Sequence, residues 1–498
     1  MNALLLSMPD SFEHMSSITT RMPNGALSSL AGNLDAHHRV AVADLILVQE
    51  RVPATVERLV AELEPDLVGL SVMTFQRRTA LRLVALLRAL RPGLRVAVGG
   101  YDPSLAPEAY TGAGPAAVDF IVRGEGEATF CELLRALEAG STPGHVAGLW
   151  YRDGDGFRRN PPRPVTRLAE GSLRLPRRAA RVLSGYTLLG RPVDVIETSR
   201  GCTFDCSFCS IIELRGRNFH AFPVERVLDD IRDARDHGAR ALFLVDDNIT
   251  LDVARFERLC EAILAAGLQR IDYVVQAMTS AIANAPPRLV RLMRRAGFRY
   301  VFLGIENVLE QDLGFLRAAA KNARRERGRR IGNASVAAIE ALHGQGIHVV
   351  GGLIVGSPDD TREAIEANLA FARRYVDWPY IQHPTPYPAT PMARELREQG
   401  LIISEEPEEY DGTTAVVRSR HLPATEIEFL RWRAERWMKV RHFPSALRRS
   451  PWFVLRNARR MLAHTFRGSS WRSALGLESQ RQVFERYRAI RRAERNYV

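Results

Sequence analysis

Short apolar runs of four to seven residues alternate along this chain with stretches whose apolar positions recur every three or four residues. In residues 1–140, Leu4–Ser7, Val40–Leu45, Leu67–Val72, Leu94–Gly99 and Val118–Val122 read as strands; Asn24–Ala36, Pro53–Leu63, Arg77–Arg91 and Glu127–Glu138 read as helices. Alternating units of this kind predict an open parallel sheet with helices on both faces. Val146–Tyr151 and Phe157–Arg159 flank Arg152-Asp153-Gly154-Asp155-Gly156, a hairpin signal, and a Pro- and Arg-rich connector follows over Asn160–Arg191. From Val193 the alternation resumes with strands at Val193–Glu197, Ala241–Val245, Ile271–Gln276, Tyr300–Gly304, His348–Ile354 and Tyr380–His383, about six units of a partial or full β/α barrel. The expected organisation is an α/β chain. It has an open-sheet domain over 1–145, a hairpin and linker over 146–191, a barrel over 192–415 and a mainly helical region over 416–498.

Such sheets bind ligands at the carboxyl ends of their strands, where Ser71 to Thr74, Gly99-Gly100 and Gly124-Glu125-Gly126-Glu127 fall. Charge sharpens the division. Residues 421–498 hold 18 basic and 6 acidic side chains, equal to the whole formal excess of +12, and the first 420 residues balance at 51 against 51. That excludes a uniformly basic nucleic-acid binder. No apolar run reaches the ~18–20 residues of a membrane span, and the N-terminus has no secretory pattern, so a cytoplasmic location is expected.

Three of the five cysteines lie within eight residues, Cys202, Cys206 and Cys209, as C-x3-C-x2-C directly after the first barrel strand. Three thiolates so spaced can hold three irons of a [4Fe–4S] cluster and leave the fourth open. A zinc site would want a fourth nearby ligand, and His220 stands eleven residues away. Cys131 and Cys260, inside helical patterns, read as buried structural thiols.

The triad resembles that of the radical S-adenosylmethionine (SAM) enzymes, whose open iron chelates SAM and whose one-electron cleavage of SAM gives methionine and a 5′-deoxyadenosyl radical. The resemblance continues at later strand ends. Val245, Asp246, Asp247 and Asn248 occupy the place of the family's Gly-Gly-Glu segment for the methionine amine, though they differ in residue type. Gly304 and Glu306, within Gly304-Ile305-Glu306-Asn307, follow the fourth strand, where the family often meets the ribose. Ile354 ends the glycine-rich fifth strand near the adenine, and Gln276 ends the third. The preceding open sheet is similar to the cobalamin-binding domain of the family's cobalamin-dependent branch. That resemblance implies a Rossmann-like domain holding cobalamin through Ser71, Thr74, Gly99, Gly100, Tyr101, Gly124, Glu125 and Gly126. Asp-x-His-x-x-Gly, which supplies a histidine to cobalt in many cobalamin proteins, is missing; His14, His37 and His38 read as surface residues.

Thr198 to Gly201, Ser210 to Gly216 and Thr385 to Pro391 are similar to the subgroup of hopanoid C-methylases and the anaerobic magnesium-protoporphyrin cyclase. The resemblance implies a methyltransferase that moves a methyl group from methylcobalamin to an unactivated carbon after hydrogen abstraction by the 5′-deoxyadenosyl radical. The alternative is a cobalamin-dependent cyclase, ring-contraction or rearrangement enzyme. The resemblance also implies a large, apolar small-molecule substrate and an external electron donor of flavodoxin or ferredoxin type, and nucleic acid is not an expected partner. In the basic tail, Trp432, Trp437, Trp452 and Trp471 are interleaved with arginines such as Arg433, Arg448, Arg449 and Arg456. Three readings stand for it, in falling order: a helical cap whose aromatics are core, a lid in peripheral contact with a membrane, and a surface for another anionic partner such as nucleic acid.

Overall fold

The computed structural model describes the whole chain except residues 13–17, 172 and 450, so His14 lies outside the described residues. Strands β1 (Asn2–Ser7), β2 (Arg39–Asp44), β3 (Leu67–Ser71), β4 (Arg95–Gly99) and β5 (Phe120–Val122) form a parallel sheet in the order 2-1-3-4-5. Helices α1 (Gly25–Asn33), α2 (Val52–Leu63), α3 (Arg77–Leu90) and α4 (Gly126–Glu138) cover it. Its strands read as apolar runs because both faces are covered. Leu4, Leu6, Val68 and Val96 pack into one core and Leu5, Val42, Leu67 and Ala97 into the other. Residues Thr79, Ala80, Leu83, Val84 and Leu87 give α3 its buried stripe.

The hairpin forms as β6 (Leu149–Asp153) and β7 (Gly156–Arg159), and it extends the first sheet, because β6 pairs antiparallel with β5. The arginines of the following connector are also more than solvated charge. Arg178 is buried and bonds Asp194, Asp230 and Asp233 at 2.7–2.9 Å, and Arg181 bonds Asp194 at 2.7 Å, so the connector is clasped to the barrel.

Six parallel strands, β8 (Arg191–Ile196), β9 (Ala241–Leu244), β10 (Asp272–Met278), β11 (Phe298–Glu306), β12 (His348–Ile354) and β13 (Trp378–Gln382), curl in sequential order into a half-barrel. Helices α5 (Val224–Asp236), α6 (Val253–Ala265), α7 (Pro287–Ala296), α8 (Ser335–His343) and α9 (Arg362–Tyr375) accompany them. Beyond β8 the sheet gains Thr187–Leu188, and beyond that Thr20–Arg21 from the N-terminal domain. The first domain therefore contributes an edge to the second domain's sheet.

The C-terminal region is helical, with α10 (Ala424–Arg449), α11 (Pro451–Thr465) and α12 (Gln480–Ala493). Helices α10 and α12 are a cap. Phe429, Trp432, Val483, Phe484 and Tyr487 form a buried cluster, while Arg431 and Arg491 are themselves buried, Arg491 against Asp411. The tail's charge is thus partly structural. Trp437, Trp452 and Trp471 are 62%, 81% and 70% exposed.

Candidate active site

The cysteine loop leaves the carboxyl end of the half-barrel between the bridge strand Ser199–Arg200 and a short helix at Ile211–Arg215. Gly201 opens it with φ +88°; a Cβ there would lie 2.5 Å from the Asn218 carbonyl oxygen, so only glycine fits. The Gly201 N–H donates to Asp247 at 2.7 Å, Ser207 N–H donates to the Leu316 carbonyl at 3.0 Å, and Met392 N–H donates to the Ser207 carbonyl at 2.9 Å. Cys206 is buried among Leu313, Leu316 and Ile354. Burial pushes the Cys206 thiol up to about 12 and Cys209 up to about 11, the environment of sulfurs that need cationic partners to be thiolates. Among the described residues His37, His38 and Glu138 are the trio close enough to surround a single ion, and none of the three cysteines is part of it.

Asn248 donates from Nδ2 to Cys202 Sγ at 3.6 Å, and Val245 and Asp247 line a cavity beside the loop. Asp246 does not join them. Its carboxylate is turned inward, accepting from the Thr198 N–H at 2.7 Å and from the Thr198 and Ser199 hydroxyls, and burial raises it to about 6 despite those bonds. Asp246 therefore braces the loop's root, with both oxygens already used. Gly304 and Glu306 lie within the end of β11, where Glu306 adopts φ +59° and pairs with Lys321 at 3.2 Å. Burial alone would lower the Lys321 ammonium; Glu306 and the nearby thiols outweigh it and hold it above its ordinary value. Sequence reasoning missed Lys321. A signal existed, since the chain has only two lysines, Lys321 and Lys439, among 69 basic side chains. Ile354 packs beside Cys206, and its carbonyl accepts from Asn307 Nδ2 at 3.0 Å.

The cavity of about 370 Å³ lies between the first sheet and the barrel, at the carboxyl ends of β3, β4 and β5. Ser71, Gly99, Gly100, Tyr101, Gly124, Glu125 and Gly126 line it together, with Glu197, Arg200 and Arg215 from the barrel side. Gly100 sits at φ +104°, where a Cβ would come within 2.9 Å of the Val72 carbonyl oxygen, so glycine lets the backbone turn away from the cavity wall. Small residues on one side and arginine and glutamate on the other fit a large, polar-edged macrocycle such as a corrinoid. Among the described residues no histidine lines this cavity. The seam beneath it is ionic: Arg200 bonds Glu127 at 2.6 Å and Glu197 at 2.8 Å, and Arg215 bonds Glu125. Burial would raise Glu127, but Arg200 outweighs it and takes the carboxyl down to about 2.

Thr74 is placed otherwise than expected. It heads a helical turn after β3 and lines a second cavity, of about 570 Å³, inside the half-barrel. Gln276 and Cys209 line that cavity too, among Phe208, Phe243, Phe302 and Tyr380. Met22 and Tyr101 line both cavities, so the two share a wall. Of the N-terminal histidines, His37 is exposed, but His38 is buried beside the Met1 amine at 3.3 Å, a correction to the surface reading. Cys131 and Cys260 are buried in α4 and α6 as expected.

A sheet with a cavity at the carboxyl ends of its strands, joined to a half-barrel with three thiols at its mouth, has the layout of an enzyme that brings a corrinoid up to an iron–sulfur cluster. Comparison with known proteins agrees. The B12 binding domain model matches residues 15–134 and the Radical SAM superfamily model matches residues 196–372. An uncharacterised methyltransferase of Pyrococcus horikoshii is 27% identical over 83% of this chain and 86% of its own length. The anaerobic magnesium-protoporphyrin IX monomethyl ester cyclase of Cereibacter sphaeroides is 26% identical over 81% of this chain, which spans 63% of that relative. The radical SAM methyltransferase TsrM of Kitasatospora setae, solved with cobalamin and a [4Fe–4S] cluster, shares the fold, with a TM-score of 0.65 at 21% identity over 82% of this chain and 84% of TsrM. The chain belongs to the radical SAM superfamily, in the branch with a B12-binding domain ahead of the barrel. Its cofactors are a [4Fe–4S] cluster, SAM and cobalamin. No helix among the described residues is long and apolar enough to cross a membrane.

Proposed function

We propose that this enzyme is a cobalamin-dependent radical SAM C-methyltransferase acting on an apolar small molecule. The observation that carries the reading is the shared wall at Met22 and Tyr101, which puts the cavity suited to the methyl carrier against the cavity that Cys209 opens into. When bound, cobalamin supplies the methyl group, and the cluster with SAM supplies the radical that removes hydrogen from the accepting carbon. The chain's residues hold and shield these groups. Cys202, Cys206 and Cys209 ligate the cluster, with Asn248 donating to Cys202. Val245 and Asp247 receive the methionine end of SAM, Gly304 and Glu306 the ribose, and Ile354 the adenine. Ser71, Gly99, Gly100, Tyr101, Gly124, Glu125 and Gly126 seat cobalamin. Phe243, Phe302 and Tyr380 keep water from the radical, while Gln276 orients the substrate. The reading includes a cytoplasmic enzyme, an external one-electron donor of flavodoxin or ferredoxin type and peripheral contact of the exposed Trp452 and Trp471 with a lipid surface.

Incubation of the reconstituted enzyme, SAM and a reductant with an apolar cell extract tests the proposal: a product heavier by one CH2 unit supports it. The cyclase relative favours a second reading, cyclisation without methyl transfer. A product whose mass falls by two hydrogens, with none gaining CH2, would decide for that reading.

A further inference from the structure

The cavity inside the half-barrel runs down the strands rather than ending beneath the cysteine loop. Gln382 lines it at the loop end of β13 and Trp378 at the far end, four residue steps or roughly 13 Å lower at ~3.3 Å per step. At that far end Thr19 and Trp378 also line a third cavity, of about 320 Å³, between β13 and helices α10 and α11. Its apolar wall is Val440, Phe443, Met461, Leu462 and Phe466; Glu435, His442 and His464 line it too, and the exposed Lys439 stands at its rim. Val440, Leu462 and Phe466 are 41%, 49% and 42% exposed, although they stand together. Contiguous apolar surface left open beside a reaction cavity marks a ligand site.

We propose, resting on the methyltransferase reading, that this groove binds the distal part of an elongated amphiphile, a lipid-class small molecule. Its apolar body threads from the reaction cavity past Thr19 and Trp378, and its anionic head stops at Lys439. The two cavities adjoin at Thr19 and Trp378, as one long occupant requires, and the exposed Lys439 ammonium at the rim, on a groove that His442, His464 and the buried Glu435 also line, matches a carboxylate or phosphate head. The body must exceed the depth of the half-barrel to reach Leu462.

The test uses 11-(dansylamino)undecanoic acid as probe and dansylamide, which lacks the chain and the carboxylate, as its short counterpart, both titrated into the full reconstituted enzyme. The long acid is expected to bind at least tenfold more tightly than dansylamide. Leu462→Glu, which sets a carboxylate in the groove, is expected to weaken the long acid at least tenfold; Lys439→Gln weakens it several-fold. Leu455→Glu, on the same helix but outside the groove and 61% exposed, leaves binding unchanged and controls for helix integrity. Equal binding of the two probes, or native-like binding of the long acid by Leu462→Glu, would overturn the proposal whatever the methyl-transfer assay shows. A groove that binds the long acid in an enzyme that adds no methyl group would instead overturn only the methyltransferase reading.

Discussion

Arg200→Met should loosen the joint between the two domains. Arg200 comes from the bridge strand that leads into the cysteine loop, while Glu127 comes from the first turn of α4 in the other domain. Both are buried, at 5% and 6% exposure, so solvent screens their 2.6 Å pair little. Glu127 is held at about 2 against 4.5 for a free carboxyl, which corresponds to about 3 kcal/mol at ~1.4 kcal/mol per tenfold in acidity. Removing one partner of a buried pair costs about 3–5 kcal/mol, the same range. That stabilisation is present above pH 4.5 and is lost as the pH falls toward 2, so pH 7 is the right condition. The measurement is urea unfolding of the cofactor-free chain for Arg200→Met, Glu127→Gln and the double variant. Arg200→Met should be the most costly single change, since it strands Glu197 as well, and the cycle should return a coupling of about 3 kcal/mol. Coupling below about 0.5 kcal/mol would refute the idea that this ion pair fastens the domains.

Three further outcomes follow from the same structure. Gly201→Ala should cut iron incorporation on reconstitution several-fold while leaving the circular dichroism of the chain unchanged, because a Cβ displaces the cysteine loop away from Asn218. Asp10, pushed up to about 7 by burial against its bond from Thr79, binds a proton in the folded chain that the unfolded chain gives up above about pH 4. Its stabilisation is therefore complete below that pH and lost as the pH rises to 7; Asp10→Asn should gain stability relative to the native chain across that window and level off above it, as followed by thermal unfolding. On anionic vesicles in low salt, tryptophan emission should shift blue, and the shift should vanish in Trp452→Phe/Trp471→Phe and at 1 M salt, where the Debye length shrinks to ~3 Å. An unchanged native spectrum would leave the tail as a cap alone.

Much of this architecture was legible because each element carries its own period. The runs at Leu4–Ser7 and His348–Ile354 are strands within a residue or two, and the C-x3-C-x2-C spacing picked out the loop that stands at the mouth of the half-barrel. What escaped was set by tertiary contact. A two-residue strand, Thr20–Arg21, has no period to detect, yet it stitches the first domain to the barrel sheet and brings Met22 to the shared wall. Arg178 and Arg181 fall in a stretch that reads only as a linker, and only the fold sets them against Asp194. Thr74 and Asp246 have suitable chemistry at suitable strand ends, but the turn after β3 carries Thr74 into the barrel cavity, and the Thr198 and Ser199 hydroxyls claim Asp246. In the tail, sequence left cap and lid open, and the structure divides them: Trp432 is core, Trp452 is surface.

In the methyltransferase reading, the two adjoining cavities transfer a methyl group from one SAM to a carbon activated by another. The most direct measurement is the co-product balance with SAM carrying a deuterated methyl group, in reactions supplied with substrate-bearing extract. Methyl transfer by this route gives S-adenosylhomocysteine and 5′-deoxyadenosine in equal amounts, with the deuterated methyl group recovered intact in the product. Formation of 5′-deoxyadenosine with substrate consumed, but with no S-adenosylhomocysteine and no deuterium in the product, would contradict it.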